Sequence, residues 1–338
     1  MTFAPDFVSN GEEHDCAGDL PFAITSPSHG DLNQIRGWVY DQKSALSRVL
    51  ARNGAILFRN FGLTNDHEFD EFIKAFGFPN FTYAESLSNA VRQNRTERVF
   101  TANEAPSEVS IFLHHEMAQT PVFPSKLFFY CEQSAREGGQ TPLCRSDVLL
   151  NVIEKNQPDF LYKCENLGVR YSNTMPAKNN LESGQGRSWR STLSVSTPAE
   201  AEIKLQTLGY SWQWLEDGSL RVTTTVMPAV RTLLDGRRVF FNQLIAAFKG
   251  WKNEDNDRNK AITFGDGSAI DERDMGRVSD SAEVLTFDMC WETGDVVLVD
   301  NFLVMHGRRP FKGTRRVLAS LVGSDEHSAF GASTAKLY

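Results

Sequence analysis

The sequence predicts a mainly β fold with flanking helices, built as one large domain. Three observations predict it. The last third holds apolar runs of strand length at 296–299, 303–306 and 316–322, broken by Asp300-Asn301 and by a turn at 310–314. Helical spacing is strongest near the N-terminus, where helices would flank such a core. The length, 338 residues, fits two average domains or one β-rich domain with an insertion, here at about 168–290.

In chain order, residues 1–20 read as a loose arm and 21–322 as the domain. Leu32, Ile35, Trp38, Val39, Leu46, Val49 and Leu50 recur at helical spacing over 31–52, and Gly54 is a stop signal. Residues 55–59 form a short apolar strand. Asn65 or Asp66 caps a second helix ending near Gly77, with Phe69, Phe72, Ile73 and Phe76 as its core face. Residues 78–112 are polar and irregular. A buried strand is expected at 126–131, a turn at 137–139, and helix over 146–167 with a break near Pro158. The middle is mixed: a Gly/Ser/Asn-rich stretch at 173–194, helix at 198–208, strands at 210–215, 220–226 and 239–242, and a charged loop at 253–260. Residues 323–338 read as a tail. The chain has no internal repeat or low-complexity tract.

Composition narrows the function. Apolar residues make up 41% and charged residues 23%, ordinary for a globular protein with a sizeable core. A net charge of -8 argues against nucleic acid as the main partner, since phosphate binding needs a dense basic surface. Five scattered cysteines without a C-x-x-C pair read as free thiols, not as a zinc site. The N-terminal stretch has acidic residues and no apolar core of a signal peptide. No run approaches the ~18 apolar residues of a membrane span. A cytoplasmic, soluble protein acting on a small molecule is expected.

The chemistry centres on Leu113-His114-His115-Glu116-Met117. On an extended segment His114 and Glu116 point to one side, and His115 turns away. A third ligand is expected at His306. Two imidazoles and a carboxylate on one face of an octahedral ion leave three positions open, the mark of non-heme Fe(II) oxygenases. Two positions suit a bidentate 2-oxo acid and the third O2. The far carboxylate of 2-oxoglutarate needs an anchor, and an Arg fork supplies one. Arg315 and Arg316 follow His306 on the returning strand. Alternation with Leu318 and Ser320 assigns Arg316 to the site and leaves Arg315 to solvent. Thr141, after Gly138-Gly139, offers a hydroxyl to the same carboxylate.

These residues carry a family resemblance. The chain resembles the taurine dioxygenase (TauD/TfdA) family of Fe(II)/2-oxoglutarate oxygenases, in its clavaminate synthase-like and SyrP-like branch. The matching stretches are 113–119, 123–129, Gly138-Gly139-Gln140-Thr141, Gly186-Arg187-Ser188-Trp189, Phe264-Gly265-Asp266-Gly267, and 299–320 with His306-Gly307-Arg308-Arg309-Pro310-Phe311. They run in order from about residue 50 to 322. The resemblance implies a double-stranded β-helix (jelly-roll) core, iron on His114, Glu116 and His306, and 2-oxoglutarate on Thr141 and Arg316. Glu116 stands where much of the family has Asp, as in clavaminate synthase-like members. A carboxylate there also argues against a halogenase.

The resemblance further implies hydroxylation of an unactivated C–H bond, with release of succinate and CO2. The substrate expected is an amino acid or derivative, free or on a carrier protein. Arg95 and Asn103 before the iron motif, Arg187 and Arg190 beside Trp189, and Asn242 are candidate substrate contacts. Ser320 occupies the position of a substrate-binding Arg in taurine dioxygenase, which argues against a sulfonate. Desaturation or oxidative cyclisation at the same centre, and a non-catalytic 2-oxoglutarate sensor, are the alternatives.

Overall fold

The first four residues of strand Val296–Asp300 are all apolar because both faces of the strand are covered. A computed structural model of the chain shows why; it describes residues 3–8, 20–81, 92–102, 105–179, 186–251 and 261–323. The strand lies in a seven-stranded sheet in the order Asp6–Val8, Phe22–Thr25, Ala55–Arg59, Val296–Asp300, Lys126–Gln133, Arg316–Val322, Phe100–Thr101. All neighbours run antiparallel except Phe22–Thr25 beside Ala55–Arg59.

One face of this sheet packs on helices Leu32–Asn53 and Asp66–Phe76 through Ile56, Phe58, Phe128, Tyr130, Leu298 and Leu318. The helices begin and end where the sequence signals them. Asp31 closes a capping box with Gln34, and Asn65 caps the second helix. Gly54 and Gly77 take the left-handed conformation just beyond their ends, at φ 83° and 74°. Phe69, Phe72, Ile73 and Phe76 are buried in this layer.

The opposite face meets a four-stranded antiparallel sheet in the order Phe287–Met289, Thr141–Arg145, Val304–Arg308, Ile111–His114. Leu57, Leu127, Phe129 and Val317 of the first sheet share a core with Leu143, Val304 and Met289 of the second. The resulting architecture is a mixed α/β one. Beside it lies another four-stranded sheet, in the order Ser211–Trp214, Leu220–Thr223, Val169–Met175, Ile262–Phe264. Helices Trp189–Leu193 and Pro198–Thr207 pack against it through Trp189, Leu193, Ala201 and Leu205.

Three features differ from expectation. Within the supposed loose arm, Asp6–Val8 pairs with Phe22–Thr25. The strand expected at 239–242 is only Arg238–Val239. The chain then leaves the ladder, because Phe240 N–H donates to Ser146 O and Asn242 Oδ1 accepts from Leu244 N at the entry to helix Leu244–Gly250. Helix Glu272–Val284 was not anticipated, although Asp271 caps it and Met275, Val278, Ser279 and Ala282 form its buried stripe. The expected charged loop at 253–260 and most of the tail, 324–338, lie outside the described residues. No helix among the described residues is long and apolar enough to cross a membrane.

Candidate active site

His114 closes strand Ile111–His114 and His306 sits in the middle of Val304–Arg308. The two strands are neighbours, and the two histidines are direct cross-strand partners with ring centroids 4.4 Å apart. Cross-strand partners share a face, so pairing alone brings the imidazoles together. Glu116 joins them differently from the expected alternation, because the strand ends at His114. The chain turns through Met117 at φ 58°, and Asn301 clamps the Glu116 backbone. Asn301 Oδ1 accepts from Glu116 N at 2.7 Å, and its Nδ2 donates to Glu116 O at 3.0 Å and Pro124 O at 2.8 Å. The Asp300-Asn301 break in the strand pattern thus has a structural task.

One donor atom from each of His114, Glu116 and His306 lies within 4.8 Å of the others. His114 Nδ1 bonds to Phe112 O at 2.8 Å, which leaves Nε2 for an ion. Burial, with His306 beside it, lowers the His114 pKa to about 4, so the ring offers a lone pair at neutral pH. Burial alone would raise the Glu116 carboxyl, but Arg92 and the two imidazoles outweigh it and hold the carboxyl below its usual range. Two imidazole nitrogens and one carboxylate oxygen are the donor set that a facial Fe(II) site requires, and these residues fit the ion. His115 is fully buried away from the cavity, with Nδ1 at the Asn301 carbonyl and its ring 4.8 Å from that of Phe241.

The donors open on a cavity of about 160 Å3 that also reaches Thr141, Arg308 and Arg315. Arg315, which alternation had left to solvent, lines the cavity, and its Nε donates to Gly139 O at 3.0 Å. Burial, and then Arg308, lowers its pKa to about 10, so an anion beside it relieves an unfavourable charge. Arg316, the expected anchor, is a surface residue. Its side chain is 56% exposed and pairs with Glu132 at 2.8 Å. The register shifts at this point, with Arg316 opposite Gln133 and Val317 opposite Cys131, which leaves Glu132 as the bulged residue. Ser320 also falls outside the cavity lining, fully buried with Oγ lacking a hydrogen-bond partner among the described residues. The error is one of parity. Both faces of Arg316–Val322 are buried, Val317 and Ala319 toward the second sheet and Leu318 toward the helices, so apolar pattern cannot tell the faces apart.

Thr141 is on the cavity, and its Oγ1 accepts from Trp291 Nε1 at 2.9 Å. The turn before it needs glycine. Gly138 has φ 71°, and a Cβ there would lie 2.3 Å from Pro310 O.

The expected substrate contacts fare less well. Arg95 bonds to Asp66 at 2.9 Å and Glu132 at 3.2 Å, off the cavity. Arg187 donates to the Ser191 carbonyl at 2.6 Å. Arg190 is exposed and stacks on Trp189 at 4.0 Å. Neither lines the cavity. Asn242 is spent on Ala229 O and Leu244 N, and its neighbour Gln243 lines the cavity instead. Asn103 lies outside the described residues. Loop arginines find partners close by, and neither composition nor periodicity reports that.

Several lining residues escaped the sequence reading. Arg92 places Nη2 3.0 and 3.1 Å from the two Glu116 oxygens, the position of a countercharge to the carboxylate. Arg308 is buried and donates to the carbonyls of Ala105, Pro106 and Val109. Tyr171, Asn173 and Met175 alternate into the cavity from strand Val169–Met175, a period-two signal present in the sequence but obscured by its polar residues.

Comparison with known proteins agrees with this geometry. The model of the family described as taurine catabolism dioxygenase TauD, TfdA family, matches residues 19–322. A clavaminate synthase-like protein of Arabidopsis thaliana is 39% identical over 320 residues, covering 92% of this chain and 96% of that protein. The dapdiamide synthesis protein DdaC of Enterobacter agglomerans is 27% identical over 289 residues, covering 82% of this chain and 84% of its own. The crystal structure of AAD-2 in complex with Mn(II) and N-oxalylglycine superposes with a TM-score of 0.54 at 11% identity, covering 96% of this chain and 98% of that one. This last likeness is one of fold.

Proposed function

The chain belongs to the TauD/TfdA family of Fe(II)/2-oxoglutarate-dependent dioxygenases, in its clavaminate synthase-like branch, and from that premise we propose that it hydroxylates an unactivated C–H bond of an amino acid or amino-acid-derived molecule, free or carried on a protein. The observation that carries the reading is the meeting of His114, Glu116 and His306 at one cavity with Arg315 and Thr141 beside them. A biosynthetic substrate is supported by the relative named for dapdiamide synthesis. The two facing sheets are read as the double-stranded β-helix core of this family.

Iron with 2-oxoglutarate and O2 supplies the oxidising power, with succinate and CO2 as co-products. The protein's part is to bind and orient. His114, Glu116 and His306 would hold the ion. Arg315 would pair with the far carboxylate of 2-oxoglutarate, and the Thr141 hydroxyl, which accepts from Trp291, would donate to it. The buried walls exclude water from the reacting centre.

Anaerobic addition of Fe(II) and 2-oxoglutarate should give a visible charge-transfer band. Admission of O2 should then release succinate, faster with substrate present. His114→Ala should abolish both. A product gain of one oxygen supports hydroxylation, and loss of two hydrogens would assign desaturation or cyclisation instead. A band without any succinate release over a broad panel of free and carrier-bound amino acids would point to a sensor.

A further inference from the structure

The cavity has a wall that the metal chemistry leaves unused. It comes from residues 169–224, which contribute Tyr171, Asn173, Met175, Leu193, Leu205 and Tyr210 among others. Among the described residues, none that lines this wall carries a charge. Strand alternation does the sorting: Tyr171 and Asn173 reach the cavity while Arg170 and Ser172 do not, and Val222 reaches it while Arg221 does not.

On the side of the cavity away from the metal donors, the buried Tyr210 Oη has no protein hydrogen-bond partner among the described residues, and the same holds for Gln119 Oε1. Tyr210 is 8% exposed. Burial holds its phenol well above the ordinary range, so it remains a neutral donor. Buried hydroxyls are ordinarily bonded, and one left open on a cavity wall is set to meet a ligand.

We propose that this wall encloses an uncharged, mainly apolar acyl portion of the substrate, and that the Tyr210 hydroxyl donates a hydrogen bond to its carbonyl oxygen. The proposal rests on the oxygenase reading and refines its substrate class. A free ammonium or carboxylate against this wall would lose its hydration and find no counter-ion. An amide- or ester-linked group meets one donor and otherwise apolar side chains.

The test uses the whole protein, anaerobic and saturated with Fe(II) and 2-oxoglutarate. Calorimetry compares three probes of one chain length: hexanamide, hexylamine and hexanoate. Hexanamide should bind at least tenfold more tightly than either charged probe. Tyr210→Phe should weaken hexanamide by roughly two- to tenfold, the worth of one neutral hydrogen bond. It should keep the Fe(II)/2-oxoglutarate band. Its melting temperature should not fall, because the lost hydroxyl has no protein partner. A charged probe binding as tightly as the amide would overturn the proposal, as would absence of binding by all three. So would an unchanged amide affinity in Tyr210→Phe, or a melting point several degrees lower, which marks a structural bond. Loss of the band in the wild type overturns the oxygenase reading itself. A band without amide preference overturns this refinement alone.

Discussion

One guanidinium nitrogen of Arg92 lies 3.0 Å from Glu116 Oε1 and 3.1 Å from Oε2, and both side chains are more than nine-tenths buried. A cation therefore already balances the carboxylate that ligates metal. Arg92→Ala should leave Glu116 buried without it, at a cost of about 3–5 kcal/mol to the metal-free protein. Mn(II) should restore much of this, since the ion replaces the lost charge. Melting curves of wild type and variant with and without Mn(II) check this: the metal-induced rise should be larger in the variant.

Arg315 and Arg316 are adjacent in sequence and opposite in setting. Arg315→Gln should weaken 2-oxoglutarate by about 2–5 kcal/mol, thirtyfold or more, as expected when one partner of a buried charge pair is removed. Arg316→Gln, which loses only an exposed pair with Glu132, should stay within about threefold of wild type. Ser320→Ala should leave affinity and stability unchanged or slightly raise stability, since its hydroxyl is buried without a partner. Anaerobic titration of the visible band gives all three affinities.

Asn301 holds the Glu116 backbone at both its N–H and its carbonyl. Asn301→Ala should loosen the third ligand without touching the other two. Metal affinity should fall about 10–100-fold, the usual effect of losing a residue that orients a ligand. Competition with a coloured chelator measures it.

Gly307 follows the ligand His306, and a Cβ on it would lie 2.3 Å from Ile111 O on the neighbouring strand. Gly307→Ala should force the two histidine-bearing strands apart. Stability should fall by about 1–3 kcal/mol, and metal affinity with it, because the same pairing sets the His114–His306 distance. Denaturant melts and metal titration report the two effects.

How much of this was legible in the sequence follows from what each feature depends on. Helices Leu32–Asn53 and Asp66–Phe76 announce themselves through caps, terminal glycines and one apolar face. His114, Glu116 and His306 are legible because few residue types bind metal and the flanking motifs are distinctive. Arg315 was missed because a strand buried on both faces carries no parity signal, and the bulge at Glu132 leaves no mark in the pattern. Arg92 and Gln243 reach the cavity from irregular segments, whose paths depend on tertiary contacts such as the bond from Gln243 to His115 O. Loop geometry of that kind has no local code.

The strand that carries His306 and the strand that ends just before Asn301 also fill the middles of the two sheets. Val304–Arg308 lies between Thr141–Arg145 and Ile111–His114, and Val296–Asp300 between Ala55–Arg59 and Lys126–Gln133. A chain leaving the ribosome presents His114 and Glu116 long before these strands exist. Until they arrive each sheet stands open at its centre, and only two of the three iron donors are present. Two donors without a formed site hold an ion weakly. A message cut short before residue 306 would thus yield a polypeptide with exposed strand edges and no firm hold on iron. A complete set of three donors therefore requires the chain through His306.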